Sequence, residues 1–414
     1  MKYLHIIKKY SFFSIAPLIT ALIQLFSVFI IGHTLSGPEL GLAGIFNTLI
    51  FILVFISDGG SSNYFIYRKI LSFPEVRIIT VLNVSVSFLS ILLYFVLSPN
   101  FIESSIVTLI SFFVMALSIS FPLYHYSRLL VEKKFNTIAM VEVFSKFVFI
   151  ASLSALIYRF QIQGVAVVYA WTASYVIRCL IFIVVCRGFS LYQENSIKYG
   201  IKNIIRRWWA YIHNQIFSQF LNYITLTADI FIVSHFGGLE RVGVYSLCKD
   251  ATLKISAVIS PVIGKLLISH VVTSDIKVIH LNAKRIFLSI LFVAMTIFLA
   301  WSVVGPYLLQ ELRPDIHSDF EIFIYAWAIC GVLRMLINPV ATIFQGLGET
   351  RKELYINLVS SLSFIMIFSL LYVSGVITGV INIILITLIG MYVISLIYSG
   401  WLLQKRFQDR KSVV

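Results

Sequence analysis

Nine ionisable side chains sit inside long apolar runs: Asp58, Glu142, Lys146, Arg178, Asp229, Lys249, Asp250, Lys254 and Arg334. In hydrocarbon each costs about 2.5–3.5 kcal/mol at a helix centre, so such residues face a wet cavity or a partner and are functional candidates. The chemistry open to them is the recognition and movement of charge. The cations Arg334, Lys249, Lys254, Lys146 and Arg178 can line a cavity and hold an anionic group. The acids Asp229, Asp58, Glu142 and Asp250 can act as counterions or take part in ion coupling. Five cations against four anions argue mildly against a cavity built for cations.

Spacing sharpens some of these readings. Glu142 and Lys146 stand i, i+4 with the acid first, which lets them pair on one helix face, and Asp250 and Lys254 repeat the pattern. Lys249 points about 100° away from Asp250 and is left to face something else. Arg334 lies about eleven residues from the inner end of its run, too deep to reach the interface easily. It is expected to touch substrate or a gate. Arg178 is nearer an end and can snorkel, while Asp58 and Asp229 suit capping, counterion or proton-coupling roles equally. The cysteines Cys179, Cys186, Cys248 and Cys330 have neither CxxC spacing nor a nearby His, so they read as packing residues and no metal site is expected. No GxxxxGK[ST] motif occurs, which excludes ATP consumption by a P-loop.

The elements that must hold these residues follow from composition. Hydrophobic residues make up 59% and charged ones 12%, against roughly 45–50% and about 25% in soluble chains. The bulk solvent is therefore lipid. About 20 apolar residues are needed per helical crossing, and twelve such runs are predicted: 11–33, 41–63, 78–98, 105–127, 138–158, 164–186, 210–235, 242–265, 284–304, 320–344, 355–374 and 379–402. The first is longer than a signal-peptide core and has no small-residue exit, so it is expected to be retained.

With the N-terminus inside, 24 of the 32 Lys and Arg residues fall on inner ends and loops, three (Arg159, Arg241 and Arg313) on outer ones, and five within the runs. That asymmetry predicts a cytoplasmic basic face and two cytoplasmic termini. A basic excess spread along a membrane face, without a compact patch, also argues against nucleic acid as a partner. Outer loops of no more than about 15 residues leave no room for a catalytic domain; their only acidic cluster is Glu311, Asp315, Asp319 and Glu321. The longest inner loop ends in KYGIKNIIRRWW, read as an interfacial helix with Trp208 and Trp209 in the aromatic belt and in contact with membrane lipids.

The chain also repeats itself. An offset of 202 lays His33 on His235 and Gly41 on Gly243, and an offset of 217 lays Pro122 on Pro339 and Glu132 on Glu349. Two parallel halves of six helices are predicted: 1–190, a basic linker 191–209, 210–404, and a basic tail 405–414. The fold class is thus an all-α polytopic membrane protein, its halves related by a pseudo-two-fold along the membrane normal, with a cleft between them as substrate path.

The turn SGPELGLAG, the span end SDGGSSNYFIYRK and the stretch TADIFIVSHFGGLERVGVYSLCKD resemble the Wzx-type polysaccharide flippases of the multidrug/oligosaccharidyl-lipid/polysaccharide exporter superfamily. Gly41, Gly243, Tyr245, Asp229 and Arg68 match that pattern, while Ala43 replaces the usual Tyr of the first turn. The resemblance implies a MATE-like fold and movement of an undecaprenyl-pyrophosphate-linked oligosaccharide across a bacterial inner membrane for O-antigen or capsule, with a polymerase and a chain-length regulator as partners. It implies no bound cofactor and an H+ or Na+ gradient as driver. A drug antiporter of the same superfamily and a membrane polymerase or glycosyltransferase are the competing expectations.

Overall fold

The computed structural model describes residues 2–68, 73–97, 106–132, 134–186, 200–273, 276–312, 321–375 and 379–411. Among the sequence expectations, Asp315, Asp319, linker residues 191–199 and the side chains of Lys254 and Glu321 lie outside the described residues. The described chain is helical throughout and contains no strand. In order the helices are α1 (Lys2–Thr34), α2 (Gly37–Asp58), α3 (Ser61–Arg68), α4 (Phe73–Leu97), α5 (Ile106–Ser120), α6 (Leu123–Val131), α7 (Phe135–Ser154), α8 (Ala166–Cys186), α9 (Ile201–Thr273), α10 (Ile276–Leu312), α11 (Glu321–Gly346), α12 (Thr350–Ser374) and α13 (Val380–Lys411). Helix is what lipid demands, because it satisfies every backbone amide within its own segment.

Ten described segments are long and apolar enough to cross a membrane, beside the shorter apolar helix Ile19–Thr34. One of the ten, Ile201–Leu253, contains the expected span 210–235 and the first part of 242–265, against the twelve separate runs expected. Its two legs meet at Gly238, whose φ of 73° and ψ of 175° break the helix. Only glycine takes that conformation freely. Hydroxyls buried in these helices satisfy themselves on the preceding turn, as Thr20 donates to Ala16 O at 2.8 Å and Thr252 to Cys248 O at 2.8 Å.

The chain forms two compact units, one from Met1–Ser27 and Leu42–Ile216, the other from Val28–Gly41 and Phe217–Val414. In the first, α7 packs on α8, α5 on α8 and on α4, and α3 on α6. Gly59 and Gly60, at φ 51° and 75°, separate α2 from α3. Asp58 closes that break by accepting from Ser62 N at 3.0 Å and Ser62 Oγ at 2.8 Å, an acid at a helix N-terminus where the dipole favours it. The first leg of α9 begins in this unit. Trp208, expected in the aromatic belt, is buried in a core with Tyr64, Phe65, Ile79 and Ile212 and donates to Ser61 Oγ at 3.2 Å. Its neighbour Trp209 is exposed. Adjacent helical residues point about 100° apart, so the pair cannot share one environment.

In the second unit α13 packs on both α11 and α12, and α10 on α11. The glycines of the first internal match meet here. A Cβ on Gly41 would stand 2.2 Å from Leu239 O, and one on Gly243 would stand 2.8 Å from Gly37 O and 3.0 Å from Gly41 N. Backbone lies against backbone, and no side chain fits. The glutamates of the second match both anchor turns between helices: Glu132 pairs with Arg128 at 2.7 Å and Lys134 at 2.9 Å, and Glu349 pairs with Lys352 at 2.8 Å and with Arg406.

Candidate functional site

Each unit holds its own cluster of the charges singled out by sequence, half-buried in the first and buried in the second. In the second unit, Asp229 lies on the first leg of α9 and Lys249 on the second, so the break at Gly238 folds the two toward each other. Lys249 Nζ donates to Asp229 Oδ2 at 2.6 Å, to Asp229 Oδ1 at 2.8 Å and to Leu226 O at 2.6 Å. Tyr245, one turn before Lys249, donates its hydroxyl to Asp229 Oδ2 at 2.7 Å. Asp229 is fully buried and Lys249 nearly so. The ammonium also lies 5.0 Å from the ring centroid of Trp327 on α11, and that indole meets Tyr245 edge-on at 5.8 Å. A buried carboxylate with three donor contacts and a cation backed by an aromatic face is the arrangement that makes paired burial tolerable.

Arg334 stands seven residues beyond Trp327 on α11 and is half-buried. Among the described residues it makes no ion pair or hydrogen bond. That separates it from Lys249, whose charge is already matched. Asp250 is half-buried on α9, one position past Lys249. The backbone of Lys254 continues the same leg.

In the first unit, Arg178 on α8 reaches Glu142 on α7 at 2.7 Å. The guanidinium is ringed by Tyr126, Tyr175 and Phe182, with its Cζ 5.7, 5.9 and 5.6 Å from their centroids. Snorkelling toward the interface is therefore not what Arg178 does. Lys146, one turn from Glu142, lies 4.0 Å over the ring of Trp171, which itself stacks on Tyr175 at 5.5 Å. Trp171 and Tyr175 are one helical turn apart on α8, so a single aromatic face carries both cations. Asp58 belongs to neither cluster and acts at the α2–α3 break described above.

Sequence reasoning missed the indoles of Trp171 and Trp327, because a lone tryptophan in an apolar run carries no sign of what lies over it. It also passed over two buried acids. Glu75 accepts from Tyr64 Oη at 2.8 Å, and Glu353 accepts from Gln345 Nε2 at 2.7 Å, with both carboxyls nearly inaccessible. Each lies at the mouth of a helix beside basic residues, Arg77 in one case and Arg351 and Lys352 in the other. Charge density of that kind reads as a solvated end. The four cysteines are free thiols, three of them buried.

No protein-family model matches the chain. Among curated proteins it is similar to the amylovoran biosynthesis protein AmsL of Erwinia amylovora, at 25% identity over 75% of this chain and 81% of that protein. Among solved structures it is similar to a multidrug resistance MATE family transporter of the MOP superfamily. The outward-facing conformation of that family superposes with a TM-score of 0.69 at 15% identity, covering 98% of this chain and 96% of that one. An inward-facing conformation gives 0.69 at 12% identity, covering 95% and 96%. A MOP superfamily transporter from Pyrococcus furiosus, described by the reverse polarity of its binding pocket, gives 0.64 at 17% identity, covering 95% of each. The chain thus has the MATE fold, as the family resemblance implies, and is a multi-pass membrane protein.

Proposed function

We propose that this protein is a flippase, which carries polyprenyl-diphosphate-linked oligosaccharides from the inner to the outer leaflet of a bacterial cytoplasmic membrane. The observation that carries the reading is the relative of 25% identity that serves amylovoran biosynthesis, taken with a transporter fold along nearly the whole chain. A diphosphate head group needs positive charge on a path through the membrane, and Arg334 is a half-buried cation whose charge no described acid matches. Arg334 is the first contact for the head group in this proposal. In the same unit Lys249, held by Asp229, and Lys254 are the further candidate cations; in the other unit they are Arg178, held by Glu142, and Lys146.

Coupling to a proton or sodium gradient enters through the same pairs. A cation that replaces Lys249 as the partner of Asp229 frees the ammonium for the diphosphate, and its departure restores the pair. The polyprenyl chain stays in lipid throughout, while access to the head group alternates between the two leaflets. The basic loops and both termini lie on the cytoplasmic side.

The test is complementation of a strain that lacks its polysaccharide flippase. Arg334→Glu is expected to abolish surface polysaccharide while the protein inserts at wild-type level, and Arg334→Lys to retain a measurable fraction. Normal polysaccharide ladders from a well-expressed Arg334→Glu variant would remove Arg334 from the path. The multidrug relatives in the fold comparison keep a drug antiporter as the second reading. Gradient-driven efflux of a cationic dye from vesicles, in the absence of any lipid-linked sugar, would favour it.

A further inference from the structure

The FGGLERVG turn, from which Arg241 rises, has no part in the path proposed above. Arg241 is one of three basic residues on the side that charge asymmetry assigns outside. It lines a cavity of about 480 Å³ in the second unit, together with Phe236, Phe323, Gly379 and Asn382. That volume lies within the roughly 300–1,000 Å³ of ordinary ligand pockets. The arginine is placed there by its own turn. A Cβ on Gly237 would stand 2.9 Å from Arg241 Cδ and 3.0 Å from its Cβ, so the bare glycine makes room for the stem, and the Gly238 break redirects the chain just before it. Among the described residues Arg241 has no ion pair or hydrogen bond. Its acidic neighbour Glu240 packs toward Gly37 and does not line the cavity.

The start of α13 also lines the cavity. Gly379, Val380, Ile381 and Asn382 line the wall, so the first turn of a 32-residue helix faces the cavity. Phe236 and Phe323 supply apolar faces, and Asn382 a carboxamide. An arginine with a matched fork for carboxylate or phosphate, an amide for hydroxyls and aromatic surface for ring C–H groups together describe the recognition of a charged, polyhydroxylated ring. We infer that this cavity binds an anionic sugar, one bearing a carboxylate or a phosphate, at the outer end of the second unit. The choice of a sugar as carrier of the charge rests on the function proposed above. The cavity itself does not, and Arg241 is eight residues, about 12 Å along the helix, from the paired Lys249.

The experiment is calorimetric titration of the purified full chain in nanodiscs with glucuronate, glucose 1-phosphate, glucose and inorganic phosphate. Both acidic sugars are expected to bind saturably, with neutral glucose at least about tenfold weaker, and Arg241→Gln is expected to weaken the acidic sugars at least about tenfold. Whichever acidic sugar binds more tightly identifies the charged group. Gly237→Ala keeps the charge but displaces the stem and is expected to weaken binding several-fold, which separates a placed arginine from bulk charge. The inference fails if Arg241→Gln binds like wild type with its circular dichroism unchanged, if glucose binds as well as glucuronate, or if no ligand saturates. Inorganic phosphate binding as tightly as the sugars would refute the sugar assignment. A negative titration leaves the flippase reading to stand or fall on Arg334, because its readout is polysaccharide and not binding at this cavity.

Discussion

Replacing Lys249 by methionine keeps the length of the side chain and removes its ammonium. Asp229, fully buried, then loses donor contacts at 2.6 and 2.8 Å and, among the described residues, keeps the Tyr245 hydroxyl at 2.7 Å. Breaking a buried pair from one side strands a charge in low dielectric and costs about 3–5 kcal/mol. Asp229→Asn strands the ammonium instead, with Leu226 O and the Trp327 face as its remaining support, and a loss of the same order is expected. The double variant Asp229→Asn/Lys249→Met leaves no charge behind, and neutral replacement of a buried pair is often close to neutral in stability. The double variant should therefore be more stable than either single one, with a coupling energy of at least about 3 kcal/mol between the positions. Reversible SDS unfolding in mixed micelles, read by circular dichroism, measures all four corners of the cycle. Single losses that add to within about 0.5 kcal/mol would mean that the two residues do not act as a pair, and would refute the account of why they are tolerated in lipid.

Three further outcomes are expected. Gly41→Ala places a methyl 2.2 Å from the backbone carbonyl of Leu239, which no rotamer can relieve, and should cost about 1–3 kcal/mol in the same unfolding assay. Gly400→Ala meets nothing within 4 Å on α13 and should be neutral or stabilising by about 0.5–1 kcal/mol, since glycine is a poor helix former; equal effects at the two positions would discard the close-approach argument. Glu132 lies between two membrane helices. Partial burial pushes its carboxyl up, but hydrogen bonds and charge from Lys134 and Arg128 outweigh that and hold it below the usual carboxylate range. Its stabilisation is therefore present above the ordinary carboxylate value and lost as pH falls through the depressed one. Wild type should exceed Glu132→Gln in unfolding free energy at neutral pH, with the gap closing in acid, and a gap independent of pH would reject the assignment.

The helical crossings were legible in the sequence because lipid leaves the backbone no alternative to helix. The break at Gly238 was legible as a polar turn with two glycines. What stayed hidden was which charge meets which. Pattern spacing along one helix offers Lys146 to Glu142, and nothing in it shows Arg178 reaching that carboxylate from α8, 36 positions away. Asp229 and Lys249 are 20 positions apart on two legs of a hairpin, and no periodicity within either leg connects them. The tandem Trp208 and Trp209 could have been separated from sequence, since neighbours on a helix diverge by about 100°. Arg334 was legible by depth alone, and its lack of a described counterion follows from packing that spacing does not encode.

The position of the Asp229–Lys249 pair on the two arms of α9 bears on biogenesis. An arm delivered alone into the bilayer carries one uncompensated charge, at about 2.5–3.5 kcal/mol on the insertion scale. Because the residues that cancel are joined by a short hairpin, the penalty disappears as soon as the second arm follows the first. The pair therefore favours cotranslational entry of both arms together as one insertion unit, and the order in which this chain leaves the ribosome already contains its own neutralising partner.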